Sequence, residues 1–438
     1  MSDSTIDREL ADRLQRGVEL ARQRGAAGAK ILFDAADFTQ CSFENSRLKS
    51  ARAQQSQQFT VEVLVDGRRG TATGNDEAAL GELIARAITL AGVGSAAHFS
   101  AYPEPAPVVQ VPMYDEEVLQ TLSLEKMAAD GQGMLDRLLD YDAGLSVGIN
   151  GSCGAYRSLI VTSGGVCHAI RRSMWGLGCW VQRTRETDIM MYGLGRGWCR
   201  LNELYDPDYL VERVLESLRF AERNVEPPTG RVPVYLDPEG LRTFLQPILM
   251  GVNGRNVAKG DSPLKECLGE QVLDPGVTVV DNPHEPYAFN AVEIDTDGIP
   301  TREQPIFRNG ILERFLYDLD TAGLAEAGPT GNAGCNAYAP GVLPGKQSSE
   351  ELLAGIGDGL YIKELVGFGQ SNIMNGDFSA NVGVGYRIKD GKVVGRVKDT
   401  MVAGNLYDVF KANVQLSTER DPMIRMPYAV LEGINVSA

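Results

Sequence analysis

The chain predicts an α+β fold, with an N-terminal helix and antiparallel-sheet region followed by a β-rich C-terminal domain. Three observations lead there. Helical periodicity is confined to a few amphipathic segments, while β-prone runs repeatedly flank Asp-Gly or Asn-Gly dipeptides, which tolerate the positive φ of tight hairpin turns. Proline-rich stretches then interrupt the chain twice. These breaks divide it into an α/β-hairpin subdomain (1–100), a central helix with an antiparallel meander (113–226) and the β-rich domain (231–438).

Ile6, Leu10, Leu14, Val18 and Leu20 recur at near-helical spacing with charges between them, so an amphipathic helix is expected over Ile6–Arg24. From Ala29 to Ala72 the pattern changes to short β-prone runs, Lys30–Phe33 and Phe59–Val65, the second closed by Asp66-Gly67. Asn75-Asp76 can cap a helix from Glu77 to Ala91, which Gly92 would stop. Prolines at 103, 105, 107 and 112 make Ala101–Pro112 an extended connector, because proline fixes φ and cannot donate to a ladder. Glu116–Leu139 reads as helix, and Leu145–Leu201, rich in Gly, Val, Ile and Trp, as the meander. Leu210, Val214, Leu215, Leu218 and Phe220 supply the apolar face of a further helix over Tyr209–Arg223. After the linker Pro227–Gly230, Val232–Leu236 reads as a strand. Asp237-Pro238-Glu239 then begins a helix toward Val252, with Pro247 removing one of its backbone hydrogen bonds. Strands dominate beyond it, with hairpin turns at Asn309-Gly310 and Asp390-Gly391.

At 438 residues, 43% of them hydrophobic and 23% charged, the chain can bury full cores. Its 42 Lys and Arg against 58 Asp and Glu give a formal charge of −16, which repels polyphosphate and anionic lipid, so neither a nucleic-acid nor a membrane partner is expected. No run approaches the ~18 apolar residues of a membrane span. Met1–Thr5 is polar and lacks the apolar core of a secretory signal, and the seven cysteines form an odd set without CxxC spacing. A cytoplasmic location is the expectation.

Few residues announce chemistry. His98, His168 and His284 are far apart in sequence, and no HExxH helix or phosphate-cradling glycine loop is present. Cys153, Cys167, His168, Cys179 and Cys199 could meet across strands of the meander, but their separations match no common metal motif.

The segment Gly367–Phe410, reading GFGQSNIMNGDFSANVGVGYRIKDGKVVGRVKDTMVAGNLYDVF, resembles the C-terminal signature of the TldD/PmbA family, also called the modulator of DNA gyrase family. Val234–Pro238, Gly298–Arg302 and Thr330–Ala333 match the same pattern. In that family the TldD half resembles a zinc peptidase whose HExxxH helix and a C-terminal cysteine hold the metal. The nearest placement of that helix here is Phe244–Arg255, with Gln246, Pro247 and Gly251 at the His, Glu and second His positions. None of these side chains can ligate zinc, and the last cysteine is Cys335.

The resemblance therefore implies a TldE/PmbA-like half with no catalytic residue, metal ligand or cofactor of its own. It further implies a heterodimer with a HExxxH-bearing TldD-like partner that carries the zinc, and an extended peptide as substrate. A homodimer is the alternative where that partner is absent, and a regulatory protein-binding module of gyrase-modulator type is the alternative function. Arg255, Lys259, Asn332 and Asp377, polar positions in or near the matching motifs, are the candidates for lining the substrate or partner surface.

Overall fold

The computed structural model describes residues 3–186 and 188–438, with side chains from residue 8 onward. Ile6 of the expected opening helix face, and Met1-Ser2 of the polar N-terminus, lie outside the residues or side chains described. The fold is α+β, as expected.

The N-terminal half contains α1 (Asp3–Gln23), β1 (Gly28–Glu44), β2 (Arg47–Val65), β3 (Arg68–Gly74), α2 (Leu80–Ala91), α3 (Glu116–Thr121), α4 (Leu124–Tyr141), β4 (Ser146–Thr162), β5 (Cys167–Arg185), β6 (Asp188–Trp198) and α5 (Pro207–Phe220). Its strands form one antiparallel sheet in the order β3-β2-β1-β4-β5-β6. The 101–112 connector carries no helix or strand, yet strands on its two sides pair along their length, from Lys30↔Thr162 to Phe43↔Ile149. One sheet thus spans the regions that the sequence separates there.

Two differences from expectation have local causes. The first strands are far longer than the apolar runs Lys30–Phe33 and Phe59–Val65, reaching 17 and 19 residues. Their remaining segments are polar because helices cover the sheet only at its two ends, so alternation carries no apolar signal between them. The single helix expected over Glu116–Leu139 is two, because Ser123 turns extended and its side chain caps Lys126 N–H of α4. Asp66 and Gly67 take φ of 49° and 70°, as a two-residue hairpin turn requires.

One end of the sheet packs under α1 and α2 through Leu14, Val18, Ile31, Phe59, Val61 and Ile84. The other packs under α3–α5 through Phe43, Met134, Leu138, Trp175, Leu210 and Val214. That second core continues into the C-terminal half through Tyr235, Tyr361, Tyr386 and Val430. Polar contacts also join the halves: Lys30 Nζ lies 2.8 Å from Asp297, and Arg396 Nη1 2.7 Å from Asp188.

The C-terminal half comprises β7 (Gly230–Arg231), β8 (Val234–Leu236), α6 (Pro238–Gly251), α7 (Gly254–Lys259), β9 (Val279–Asp281), β10 (Gln304–Arg308), β11 (Ile311–Leu312), α8 (Leu319–Leu324), β12 (Pro340–Val342), α9 (Ser349–Ala354), β13 (Asp358–Val366), β14 (Asp377–Lys389), β15 (Lys392–Arg396), β16 (Met401–Asn405), α10 (Leu406–Val409), β17 (Gln415–Arg420), β18 (Pro427–Leu431) and β19 (Asn435–Ser437). A large sheet orders as β17-β18-β8-β13-β14-β16-β19-β7, with β15 on β14, and a small one as β11-β10-β9-β12. Asp237 caps α6 by accepting from Gly240 N–H at 2.9 Å, with Pro238 in the first turn. α6 buries Leu241, Phe244 and Ile248 against the large sheet.

Candidate functional site

Where β6 faces the β8–α6 junction, the structure opens a cleft of about 350 Å³ whose lining includes Tyr192, Asp237, Glu239, Thr243, Lys363 and Glu364. A narrower extension runs past Arg196, Tyr209, Arg213 and Asp421. Strand β8 pairs with β13 only as far as Leu236↔Ile362, so Asp237 and Lys363 leave the ladder together at the cleft floor.

The Lys363 side chain is completely buried, donates to Tyr192 Oη at 3.4 Å and lies 3.8 Å from Glu216 Oε2. Its ammonium lies 4.9 Å from the Tyr192 ring centroid. Burial, helped by the like charge of Arg213, outweighs the attraction of Asp237 and Glu216 and brings its pKa down to about 8. Glu216 cannot compensate fully, because it also pairs with Arg213 at 2.8 Å. Burial pushes the Asp237 carboxyl up against the pull of Lys363, and does the same to Glu239 against Arg242. Amine, carboxyl and phenol groups here can exchange hydrogen bonds with a polar ligand and hold either sign of charge.

A larger hollow of about 480 Å³ lies on the sheet between the two helix layers, beside Ala35, Asp37, Gln55, Gln57, Arg157 and Arg171. Asp37 is exposed and the two arginines are half-buried, so this hollow lacks a buried ionisable group.

The four positions chosen from motif adjacency lie outside the cleft lining. Arg255, on α7, pairs with Asp318 at 2.9 Å, and Lys259 ends the same helix in solvent. Asn332 is buried near them: it donates to Asp281 Oδ2 at 2.9 Å and accepts from Gln304 at 2.7 Å and Thr330 at 2.9 Å. Asp377 is exposed at the start of β14 and accepts from Asn405 Nδ2 at 2.8 Å. Asn253, two residues before Arg255, bonds Asn336, which in turn accepts from Asn332, so the structure brings the neighbourhoods of Arg255 and Asn332 together and leaves Asp377 apart. The cleft residues Lys363 and Tyr192 were missed; the only sequence signal was a charge closing the apolar run Leu360-Tyr361-Ile362.

Each histidine has a local partner: His168 bonds Glu293 at 2.8 Å, His284 bonds Thr301 at 2.9 Å, and His98 lies 3.5 Å from Asp320. Cys153, Cys179 and Cys199 are buried with their thiols pushed up by burial, whereas Cys167 is exposed. Among the described residues, no group of three or more His, Cys, Asp or Glu side chains is arranged to hold a metal. On α6, Gln246 faces solvent and Pro247 is buried. A Cβ on Gly251 would lie 2.5 Å from Tyr407 Oη and 3.1 Å from Leu264, so this position has no volume for an imidazole. These residues do not fit a zinc ion. Among the described residues, no helix is long and apolar enough to cross a membrane.

The sequence model of the PmbA/TldA metallopeptidase C-terminal domain matches residues 229–438, and that of PmbA/TldA metallopeptidase domain 1 matches residues 31–91. The chain belongs to the PmbA/TldD family. Among relatives in this family, an uncharacterized protein of Methanocaldococcus jannaschii is 27% identical over 345 residues, covering 77% of this chain and 79% of its own length. A metalloprotease of Methanothermobacter thermautotrophicus is 30% identical over 229 residues, and metalloprotease PmbA of Escherichia coli O157:H7 26% over 232. Those two matches cover 50% and 52% of this chain, and the chain spans about half the length of each relative, 49% in both cases. The solved structure of TldE from Thermococcus kodakarensis superposes with a TM-score of 0.89 at 21% identity, over 97% of this chain and all of the other. A Thermotoga maritima protein titled a modulator of a DNA gyrase gives 0.88 at 22%, over 97% and 99%. At these identities the likeness is one of fold, and it extends over the whole PmbA/TldD architecture described above.

Proposed function

We propose that this chain is a TldE/PmbA-like, non-catalytic subunit of a two-chain zinc metallopeptidase that degrades or matures extended peptides, ribosomally made ones included. The zinc belongs in this proposal to a HExxxH-bearing TldD-like partner. The observation that carries it is α6, where family membership supplies the scaffold while Gln246, Pro247 and the space-filled Gly251 exclude the ligands. Removing imidazole donors removes the Lewis acid and the activated water with them.

The need for a partner draws support from β2. Its residues 47–58 are exposed, and β3 pairs only with Phe59–Val65, leaving a twelve-residue outer edge unpaired among the described residues. Such an edge invites pairing with another chain.

The test is metal analysis and peptide cleavage by the purified chain alone and mixed with a HExxxH-bearing relative. Zinc and cleavage are expected only with the relative present. Stoichiometric zinc and robust cleavage by the isolated chain would overturn the proposal.

A further inference from the structure

The turn 295–299 fastens the C-terminal half to one end of the N-terminal sheet. Asp295 N–H donates to Ile299 C=O at 2.9 Å, Gly298 N–H donates to Asp295 C=O at 3.1 Å, and Asp295 Oδ1 accepts from the N–H groups of Asp297 and Ile299, each at 2.9 Å. Gly298 takes φ of 83°, and a Cβ there would lie 3.3 Å from Val166 and 3.4 Å from Thr162, so the tip of the turn is seated against the hairpin joining β4 and β5. Ile294 packs beside it on Ile160 and Val166. Asp297 completes the fastening by pairing with Lys30 of β1 at 2.8 Å and accepting from Leu319 N–H at 3.3 Å.

One atom of this fastening is left over. Asp295 is 2% exposed, and among the described residues its buried Oδ2 has no hydrogen-bond partner. The charged groups around the turn are already engaged. Lys30 is shared between Asp297 and Glu62 of β2, Tyr102 of the connector donates to Glu62 at 2.8 Å, and His168 of β5 bonds Glu293 at 2.8 Å. On α8, Asp320 lies 3.1 Å from Arg69 and 3.5 Å from His98. Burial, with the charge of Asp295 behind it, pushes the nearby Tyr338 phenol up, and its oxygen accepts from Ala333 N–H at 3.2 Å.

We propose that this turn is a proton-operated latch between the two halves, closed while Asp295 carries a proton and loosened when it ionises beside Asp297. An uncharged buried oxygen without a partner costs far less than a charged one, so the seated turn favours the protonated carboxyl. Ionisation adds a second negative charge next to Asp297, and Lys30 cannot offset it fully because Asp297 and Glu62 already hold that ammonium. Burial, then the charge of Asp297, raises the Asp295 pKa to about 7, which places the change between neutral and mildly alkaline pH. Lifting the turn off the sheet returns the carboxylate to water. The apolar core through Tyr235, Tyr386 and Val430 still joins the halves, so the N-terminal sheet pivots on that contact rather than separating. The latch concerns this chain alone and stands or falls independently of the peptidase proposal.

Hydrogen–deuterium exchange of the full chain, read by mass spectrometry and expressed as protection relative to the free-peptide rate at each pH, tests the latch. With the carboxyl at about 7 in the seated turn and at its ordinary 3.8 in the released one, protection of segment 294–300 should fall about tenfold between about pH 6 and about pH 8.5. Segments 28–34 and 160–168, on which the turn sits, should lose protection in the same direction. Segment 210–218 of α5, in the apolar core, should stay within about twofold. Asp295→Asn keeps the size of the side chain and the Oδ1 acceptor but has no proton to lose, so its 294–300 segment should be equally protected at both pH values. Should that variant fail to fold, the wild-type comparison of 294–300 with 210–218 still decides. Wild-type protection of 294–300 that does not change with pH, a fall of the same size in Asp295→Asn, or a fall shared equally by 210–218 overturns the proposal.

Discussion

Lys30 and Lys363 are both buried strand lysines, one near the middle of the N-terminal sheet and one at the floor of the cleft, yet their surroundings act in opposite directions. Burial pulls the Lys30 ammonium down, but Asp297 at 2.8 Å and Glu62 at 3.3 Å outweigh it and raise its pKa. At Lys363 burial wins, because the nearest carboxylate is 3.8 Å away and already bound to Arg213. The difference teaches that distance and competition for the counter-ion, rather than depth, decide whether a buried lysine acts as a fastening or as a poised group. Lys30 ties the first sheet to the loop after Ile294, whereas Lys363 faces space a ligand can enter.

Four experiments break or sharpen this contrast. The largest effect is expected for Lys30→Met, which strands two carboxylates against the sheet and should cost about 3–5 kcal/mol in denaturant unfolding. Asp295→Asn comes next. Asp295 Oδ1 accepts two N–H bonds at 2.9 Å, but its buried Oδ2 has no partner, and burial together with Asp297 raises its pKa to about 7. A carboxyl whose pKa folding raises contributes stability that is full below its ordinary value of 3.8 and is lost as pH climbs to about 7. The variant should abolish that decline and gain about 1–3 kcal/mol at pH 8, read from urea midpoints across pH.

Asp297→Asn leaves Lys30 with Glu62 alone, and a smaller loss of about 1–2 kcal/mol is expected by the same measurement. Lys363→Met should fall within about 1 kcal/mol of wild type at pH 7, because a buried charge is exchanged for apolar volume. Its signature is in the pH profile. The unfolded state binds more protons than the folded one between about 8 and 10.5, so wild-type stability should rise with pH across that window, and the variant's should not. A rise that persists in the variant would assign it to another group.

Much of the architecture was legible in the residues themselves. Asp66-Gly67, Asn309-Gly310 and Asp390-Gly391 turn where expected, with positive φ at all six positions. Asp237 caps the helix it was expected to cap, whereas Asp76 caps a 3-10 turn, Glu77–Ala79, that leads into α2 rather than α2 itself; these signals act within four residues. The length of β1 and β2 was not legible, because their polar middles are held by register with each other and, for β1, with β4 rather than by propensity. Nor was the cleft: Tyr192, Arg213, Asp237 and Lys363 are far apart in the chain, and three of them read locally as ordinary strand, helix and cap residues.

The sequence by itself determined the local turns, most of the caps, the family scaffold and the poor zinc-ligating chemistry of Gln246, Pro247 and Gly251, because each depends on the chemistry of one residue or its immediate neighbours. Tertiary structure alone decided which buried lysine finds a carboxylate close enough to outweigh desolvation. The distance between remote charges exists only once the strands are paired and the two halves packed.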